Sequence, residues 1–85
     1  MGSNNKKDIF KQGYDLYKKG KFEEAIICYN EVLKIDPKDI DALNNKGIAL
    51  GKLGKLDEAI TCYDEASKID PEYAETKTKK SSSEE

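Results

Sequence analysis

The sequence predicts an all-α fold in which antiparallel helix hairpins stack in a row. The first observation is an internal repeat: residues 6–39 align with residues 40–73 without gaps, and 15 of the 34 pairs are identical. A period of this length is typical of solenoid units, which bury their apolar faces by stacking on one another. The second observation is that the helices of each repeat are joined by short connections, which favour antiparallel neighbours.

Each repeat contains the pattern of two short amphipathic helices. We expect helices at about residues 7–19, 22–35, 40–53 and 56–69. In the second helix of each repeat, apolar residues recur at steps of three and four, which places them on one helix face. The ends are marked by residues that stop helices: Gly20, Gly54, Pro37 and Pro71. Glycine accepts the left-handed conformation that closes many helices, and the residue before proline avoids the helical one.

Gly13 and Gly47 lie inside the first helix of each repeat, where glycine costs about 1 kcal/mol relative to alanine. They occupy the same position in the two repeats. Because the same cost recurs at the same place, the sequence predicts that the partner helix packs closely against both glycines.

The composition excludes several classes of function. Net charge is −2, and the 15 basic residues are interspersed with 17 acidic ones, so the chain lacks the basic stripe of a nucleic-acid-binding protein. No apolar run is long enough to span a membrane. The chain has no histidine, no glycine-rich phosphate loop and no isolated carboxylate pair, so we expect no enzyme activity and no cofactor or metal. Cys28 and Cys62 are expected to be reduced, half-buried packing residues of a cytoplasmic protein.

The domain organisation follows from the repeat. Residues 1–5 are expected to be a disordered leader, residues 74–80 a short polar capping helix and residues 81–85 a disordered tail. The outer face of the second repeat, which includes Leu50, Leu53 and Tyr63, is then left with little to cover it. About three repeats are the usual minimum for stability. Self-association into a homo-oligomer, or membership of a longer array, would cover this face, and both alternatives stay open.

The pattern resembles the tetratricopeptide repeat (TPR) family, whose 34-residue unit is a helix–turn–helix. The matching residues are Ile9, Gly13, Leu16, Gly20, Ala25, Tyr29, Val32 and Pro37 in repeat one, and Leu43, Gly47, Leu50, Gly54, Ala59, Tyr63, Ala66 and Pro71 in repeat two. The resemblance implies a right-handed superhelical solenoid that acts as a protein-interaction scaffold. It also implies that the first helices line a concave groove, which binds a peptide or a helix of a partner.

The repeats differ most where that groove is expected. Residues 18–37 match their counterparts at 13 of 20 positions, but residues 6–17 match at only 2 of 12. The family geometry assigns to the groove Lys7, Phe10, Tyr14, Tyr17, Asn44, Asn45, Ile48 and Lys52. The three aromatic residues are spaced i, i+4 and i+7, which predicts a stripe for an apolar or aromatic peptide segment. Two alternatives stay open: the rings pack on their own hairpin, or they contact a second copy of the chain.

Overall fold

The structure, a computed structural model, describes residues 5–71. This part of the chain forms the α-helices α1 (Lys6–Lys18), α2 (Phe22–Ile35), α3 (Ile40–Lys52) and α4 (Leu56–Ile69). The all-α prediction is confirmed, and each predicted helix boundary is correct to within one residue. Three predicted segments lie outside the described residues: the capping helix at 74–80, the tail at 81–85 and residues 1–4 of the leader.

The first helix of each hairpin begins with a side-chain cap. The Asn5 side chain accepts a hydrogen bond from the Asp8 backbone N–H at 2.9 Å, and the Asp39 side chain accepts one from Ala42 at 3.0 Å. Such bonds satisfy amide groups that have no partner within the helix. Asn5, which the sequence analysis assigned to the leader, is therefore the N-cap of α1.

A glycine ends the first helix of each hairpin, as predicted. Gly20 and Gly54 have φ values of +82° and +83°. The following lysines, Lys21 and Lys55, donate backbone hydrogen bonds of 2.9 Å to Leu16 and Leu50, back inside the helix. This is the hydrogen-bond pattern of a Schellman motif, which reverses the chain within a few residues.

The helices pack in the order α1, α2, α3, α4. Within each hairpin the two helices pack against each other. In addition, α3 packs on α2, and α1 touches α3 only lightly. The fully buried apolar residues of the described chain all come from the two central helices: Ala25, Tyr29, Val32, Ala42 and Ala49. The core therefore lies mainly where the first hairpin meets the second, in agreement with units that bury apolar surface by stacking.

The two mid-helix glycines allow this close packing, as predicted. A β-carbon placed on Gly13 would lie 2.9 Å from a ring carbon of Tyr29, and one placed on Gly47 would lie 2.7 Å from a ring carbon of Tyr63. Both distances are shorter than an ordinary van der Waals contact. Glycine is therefore required at these positions unless the tyrosine rings move.

One expectation about the outer face was wrong. Leu50 was assigned to the uncovered outer face of repeat two, but it is buried against Ala59 and Cys62, and Ile26 of the first hairpin packs on the same cluster. The reason is that α3 lies between α2 and α4, which together cover this side of the helix. Cys62 is buried rather than half-buried, Cys28 is half-buried, and both cysteines are free thiols.

Candidate functional site

The residues assigned to the groove lie on α1 and α3, and all of them retain some solvent-accessible surface. Three are exposed and five are half-buried: Lys7, Tyr14 and Lys52 in the first group, and Phe10, Tyr17, Asn44, Asn45 and Ile48 in the second. A surface of this composition can offer apolar, amide and ammonium groups to a ligand.

The aromatic side chains of α1 do not form one continuous exposed stripe. The Phe10 ring lies 5.6 Å from the ring of Tyr29, and the Tyr17 ring lies 5.5 Å from the ring of Phe22. Both partners belong to α2, and such ring separations are typical of aromatic packing. Phe10 and Tyr17 therefore pack largely on their own hairpin, which is one of the alternatives that the sequence left open.

Tyr14 differs from the other two rings because it is 44 % exposed. It stacks on Tyr17 with ring centroids 6.3 Å apart, and the Lys18 ammonium lies 5.1 Å from the centre of its ring. A cation at this distance from an exposed aromatic face contributes about 0.5–1 kcal/mol. The ring is therefore held in place from two sides while much of its surface faces solvent.

A shallow pocket connects the start of α1 with the start of α3. It has a volume of about 280 Å³ and is lined by Lys6, Lys7, Phe10, Asp39 and Asp41. The pocket combines an aromatic ring with charges of both signs. It is smaller than most sites for small molecules, which occupy about 300–1,000 Å³. Its size suits a single side chain of a peptide better than a cofactor.

An ion pair that the sequence analysis missed stabilises this end of the site. The Lys6 Nζ lies 2.9 Å from Asp36 Oδ2 and 3.0 Å from Asp39 Oδ2, which joins α1 to the turn between α2 and α3. The bonds to Asp36 and then Asp39 raise the pKa of the Lys6 amine, and the bond from Lys6 lowers the pKa of Asp36. Lys6 is 30 positions from Asp36 in the sequence, so no local pattern pointed to this pair.

This ion pair predicts a change of stability in acid. Because the pKa of Asp36 is lower in the folded chain than its ordinary value of 3.8, its stabilising contribution is complete above about pH 4. It is lost as the pH falls through the folded-state pKa. Lys6→Met should therefore lower Tm by a few degrees at most at pH 7, and the difference from wild type should shrink as the pH falls below about 4.

Thermal melts followed by circular dichroism between pH 2 and pH 7 measure this difference. Lys11→Met is the matched control, because Lys11 is an exposed lysine of the same helix outside the ion pair. A constant difference between wild type and Lys6→Met across the whole pH range would show that Asp36 does not stabilise the fold through Lys6.

Tyr29 forms the buried side of the site. It is fully buried, and burial raises the pKa of its hydroxyl to about 12. The Asn45 side chain partly offsets this rise in pKa, although the Tyr29 hydroxyl oxygen lacks a hydrogen bond of good geometry. Asn45, which the resemblance assigned to peptide binding, is therefore also close to the contact between α2 and α3.

Two further findings concern the described residues, 5–71. None of their helices is long and apolar enough to cross a lipid bilayer. These residues also contain no cluster of three or more cysteine or acidic side chains that could hold a metal ion.

Comparison with protein-family models identifies the repeats. Residues 13–54 match a model described as TPR repeat, and residues 40–73 match a model described as tetratricopeptide repeat. The chain belongs to the TPR family. Together the two matches span residues 13–73, or about two tandem TPR motifs, and the observed hairpins are the structural units of those motifs. TPR motifs in general are protein–protein interaction modules. A comparison with individual curated proteins finds no match.

Proposed function

We propose that this TPR chain is a non-catalytic, cytoplasmic interaction module whose α1–α3 face binds a peptide segment or helix of a partner protein. The main support is Tyr14, a large aromatic residue that is both exposed and held in place by Tyr17 and Lys18. Tyrosine is enriched among the residues that dominate binding energy, because its ring offers a large contact area with little conformational freedom to lose.

The charges on this face favour a partner segment that is apolar and partly acidic. At the start of the helices, Asp36 and Asp39 compensate the charge of Lys6. At the other end, Lys18 and Lys52 occupy equivalent positions of the two repeats and are both exposed. Because α1 and α3 touch, the two ammonium groups could border one ligand. An apolar side chain would then contact Tyr14 and Ile48, with a carboxylate near the lysines.

Selection from a phage-displayed library of random 12-residue peptides tests this proposal without knowledge of the natural partner. Peptides enriched on the wild-type chain should bind Tyr14→Ala at least 10-fold more weakly, because loss of a central aromatic contact costs more than about 1.4 kcal/mol. Tyr14 is a better choice than Phe10, because Phe10→Ala would also remove packing against Tyr29.

Ile27→Ala is the matched control for the peptide experiment. Ile27 is an exposed apolar residue of α2 that borders a different pocket together with Ile9 and Ile35, so the enriched peptides should bind this variant with unchanged affinity. Equal binding to wild type and Tyr14→Ala, or equal weakening by both substitutions, would rule out the α1–α3 face as the peptide site.

A second candidate function is self-association into a homo-oligomer. The observation that favours it is the apolar surface of α4, on which Leu56 and Ile60 are largely exposed. Sedimentation equilibrium over a wide concentration range measures it directly. A species of 9.6 kDa at all concentrations would eliminate self-association.

A further inference from the structure

Tyr29 lies beneath the α1–α3 face and interacts with both of its helices. It belongs to α2, and its ring lies 5.6 Å from the ring of Phe10 on α1. The same ring lies so close to Gly13 that an added β-carbon would be only 2.9 Å from one of its carbons. At the tip of the ring, the hydroxyl group interacts with the side chain of Asn45 on α3. A single side chain of α2 therefore links the two helices of the proposed site.

This link matters because α1 and α3 make little contact of their own. Both helices pack on α2 far more extensively than on each other. Tyr29 is fully buried, and close-packed interiors leave a ring of this size no room to move. Packing therefore fixes the position of the Tyr29 hydroxyl group before any ligand arrives.

The hydroxyl group is the unusual part of this side chain. Its oxygen is buried and, among residues 5–71, has no hydrogen bond of good geometry, although Asn45 is nearby. Buried polar groups nearly always have a hydrogen-bond partner, and a group without one costs stability. A phenylalanine would fill the same space without this cost. Packing alone therefore does not account for the hydroxyl group.

Asn45 connects the buried hydroxyl group with the surface, because its side chain is only half-buried. A side-chain amide has two N–H donors and an acceptor oxygen, so it can bond to Tyr29 with one end and to a ligand with the other. A peptide backbone offers a donor and an acceptor at almost every residue and can therefore bond to either end of an amide. A bond at the buried end fixes which way the amide faces and strengthens the next bond in the chain.

We propose that Tyr29 is a positioning residue of the α1–α3 face. Its hydroxyl group completes a hydrogen bond with the Asn45 side chain when a peptide binds, and this bond turns the outer end of the amide towards the peptide backbone. The inference rests on the proposed function, because it concerns the same face. Tyr29 contributes to recognition in this way without touching the ligand.

Tyr29→Phe tests this role with the peptides enriched on the wild-type chain. The substitution keeps the ring and removes only the hydroxyl group. The peptides should bind about 5-fold more weakly, which corresponds to the loss of one hydrogen bond. The urea midpoint should not fall, because the hydroxyl group lacks a good hydrogen bond in the free chain. A purely structural role would not lower affinity while stability is retained.

A double-mutant cycle identifies the group through which the hydroxyl acts. Asn45→Ala should weaken peptide binding about 5-fold or more, and adding Tyr29→Phe should cause no further loss, because the hydroxyl acts only through the amide. Asn44→Ala is the matched control. Asn44 is the neighbouring half-buried asparagine of α3, and the effect of its substitution should add to that of Tyr29→Phe.

The Asn45 side-chain amide also gives a direct readout in the isotope-labelled chain. Its two N–H signals should shift when an enriched peptide is added to the wild-type chain, and Tyr29→Phe should reduce this shift. A shift of the same size in both chains would show that the hydroxyl group does not orient the amide.

The affinities separate this inference from the proposed function. Unchanged affinity of Tyr29→Phe, together with weaker binding by Tyr14→Ala, would overturn the role of Tyr29 and leave the proposed function intact. Additive losses for Tyr29→Phe and Asn45→Ala would also overturn that role, because the hydroxyl group would then act on another part of the site. If Tyr14→Ala binds the peptides as wild type does, the proposed function fails and the role of Tyr29 fails with it.

Discussion

Tyr29→Ala is expected to unfold the chain at room temperature, whereas Tyr63→Ala is expected to leave it folded. The two tyrosines occupy the same repeat position, but Tyr29 on α2 is fully buried, with its ring against Phe10 and Gly13 of α1, while Tyr63 is substantially exposed. Truncating a buried aromatic side chain costs about 3–5 kcal/mol. This is comparable with the whole stability of a domain of this size, which is about 3–5 kcal/mol. Loss of the Tyr63 ring should cost about 1 kcal/mol.

Urea unfolding followed by circular dichroism measures both effects. Tyr29→Phe is the control that keeps the ring and removes only the hydroxyl group. Because the buried Tyr29 oxygen lacks a good hydrogen bond, this variant should be as stable as wild type or slightly more stable. Similar losses for Tyr29→Ala and Tyr63→Ala would show that the second hairpin does not bury Tyr29 in solution.

Gly13→Ala is expected to destabilise the chain by up to about 2 kcal/mol, and Gly47→Ala to change its stability little. An added methyl group meets both a Tyr29 ring carbon and the Cys28 β-carbon at Gly13, the latter at 3.0 Å. Neither can move freely, because Tyr29 is fully buried and a β-carbon follows the backbone. Overpacking of this kind costs about 1–3 kcal/mol, against a gain of about 1 kcal/mol in helix propensity.

At Gly47 the three nearest atoms all belong to the Tyr63 ring. Tyr63 is partly exposed and can rotate away, so the cost of the contact is offset by the better helix propensity of alanine. Urea midpoints of the two variants measure the contrast. A larger loss for Gly47→Ala than for Gly13→Ala would mean that the exposed ring is held more firmly than the buried one, contrary to the packing described above.

The helices themselves could be predicted because their signals are local. Gly20 and Gly54 adopt the left-handed conformation that closes a helix, and Asp36 and Asp70 directly follow the second helices of the repeats. The periodicity of the apolar residues correctly predicted which segments form amphipathic helices. Steric limits on the backbone act within a few residues, so the helices and their ends can be predicted without knowledge of the neighbouring helices.

The candidate site could be predicted only in part. The resemblance assigned Phe10, Tyr14 and Tyr17 to one aromatic stripe, and their spacing on α1 agrees with that assignment. Spacing could not show that Phe10 and Tyr17 pack towards α2, nor that Tyr14 alone is held by Lys18 with much of its ring exposed. Whether these residues bind a peptide remains a prediction that the Tyr14→Ala experiment tests.

The sequence by itself determined the repeat, the helices, their ends and the close approach at the two mid-helix glycines. Only the tertiary structure decided that Lys6 pairs with Asp36 and Asp39, that Leu50 is buried, and that Tyr29 and Tyr63 have different environments. The reason is physical: helix formation depends on residues a few positions apart, whereas burial depends on which helix lies alongside. The equivalent helices α2 and α4 therefore differ in exposure, because α2 packs against both α1 and α3 whereas α4, within the described residues, packs against α3 alone.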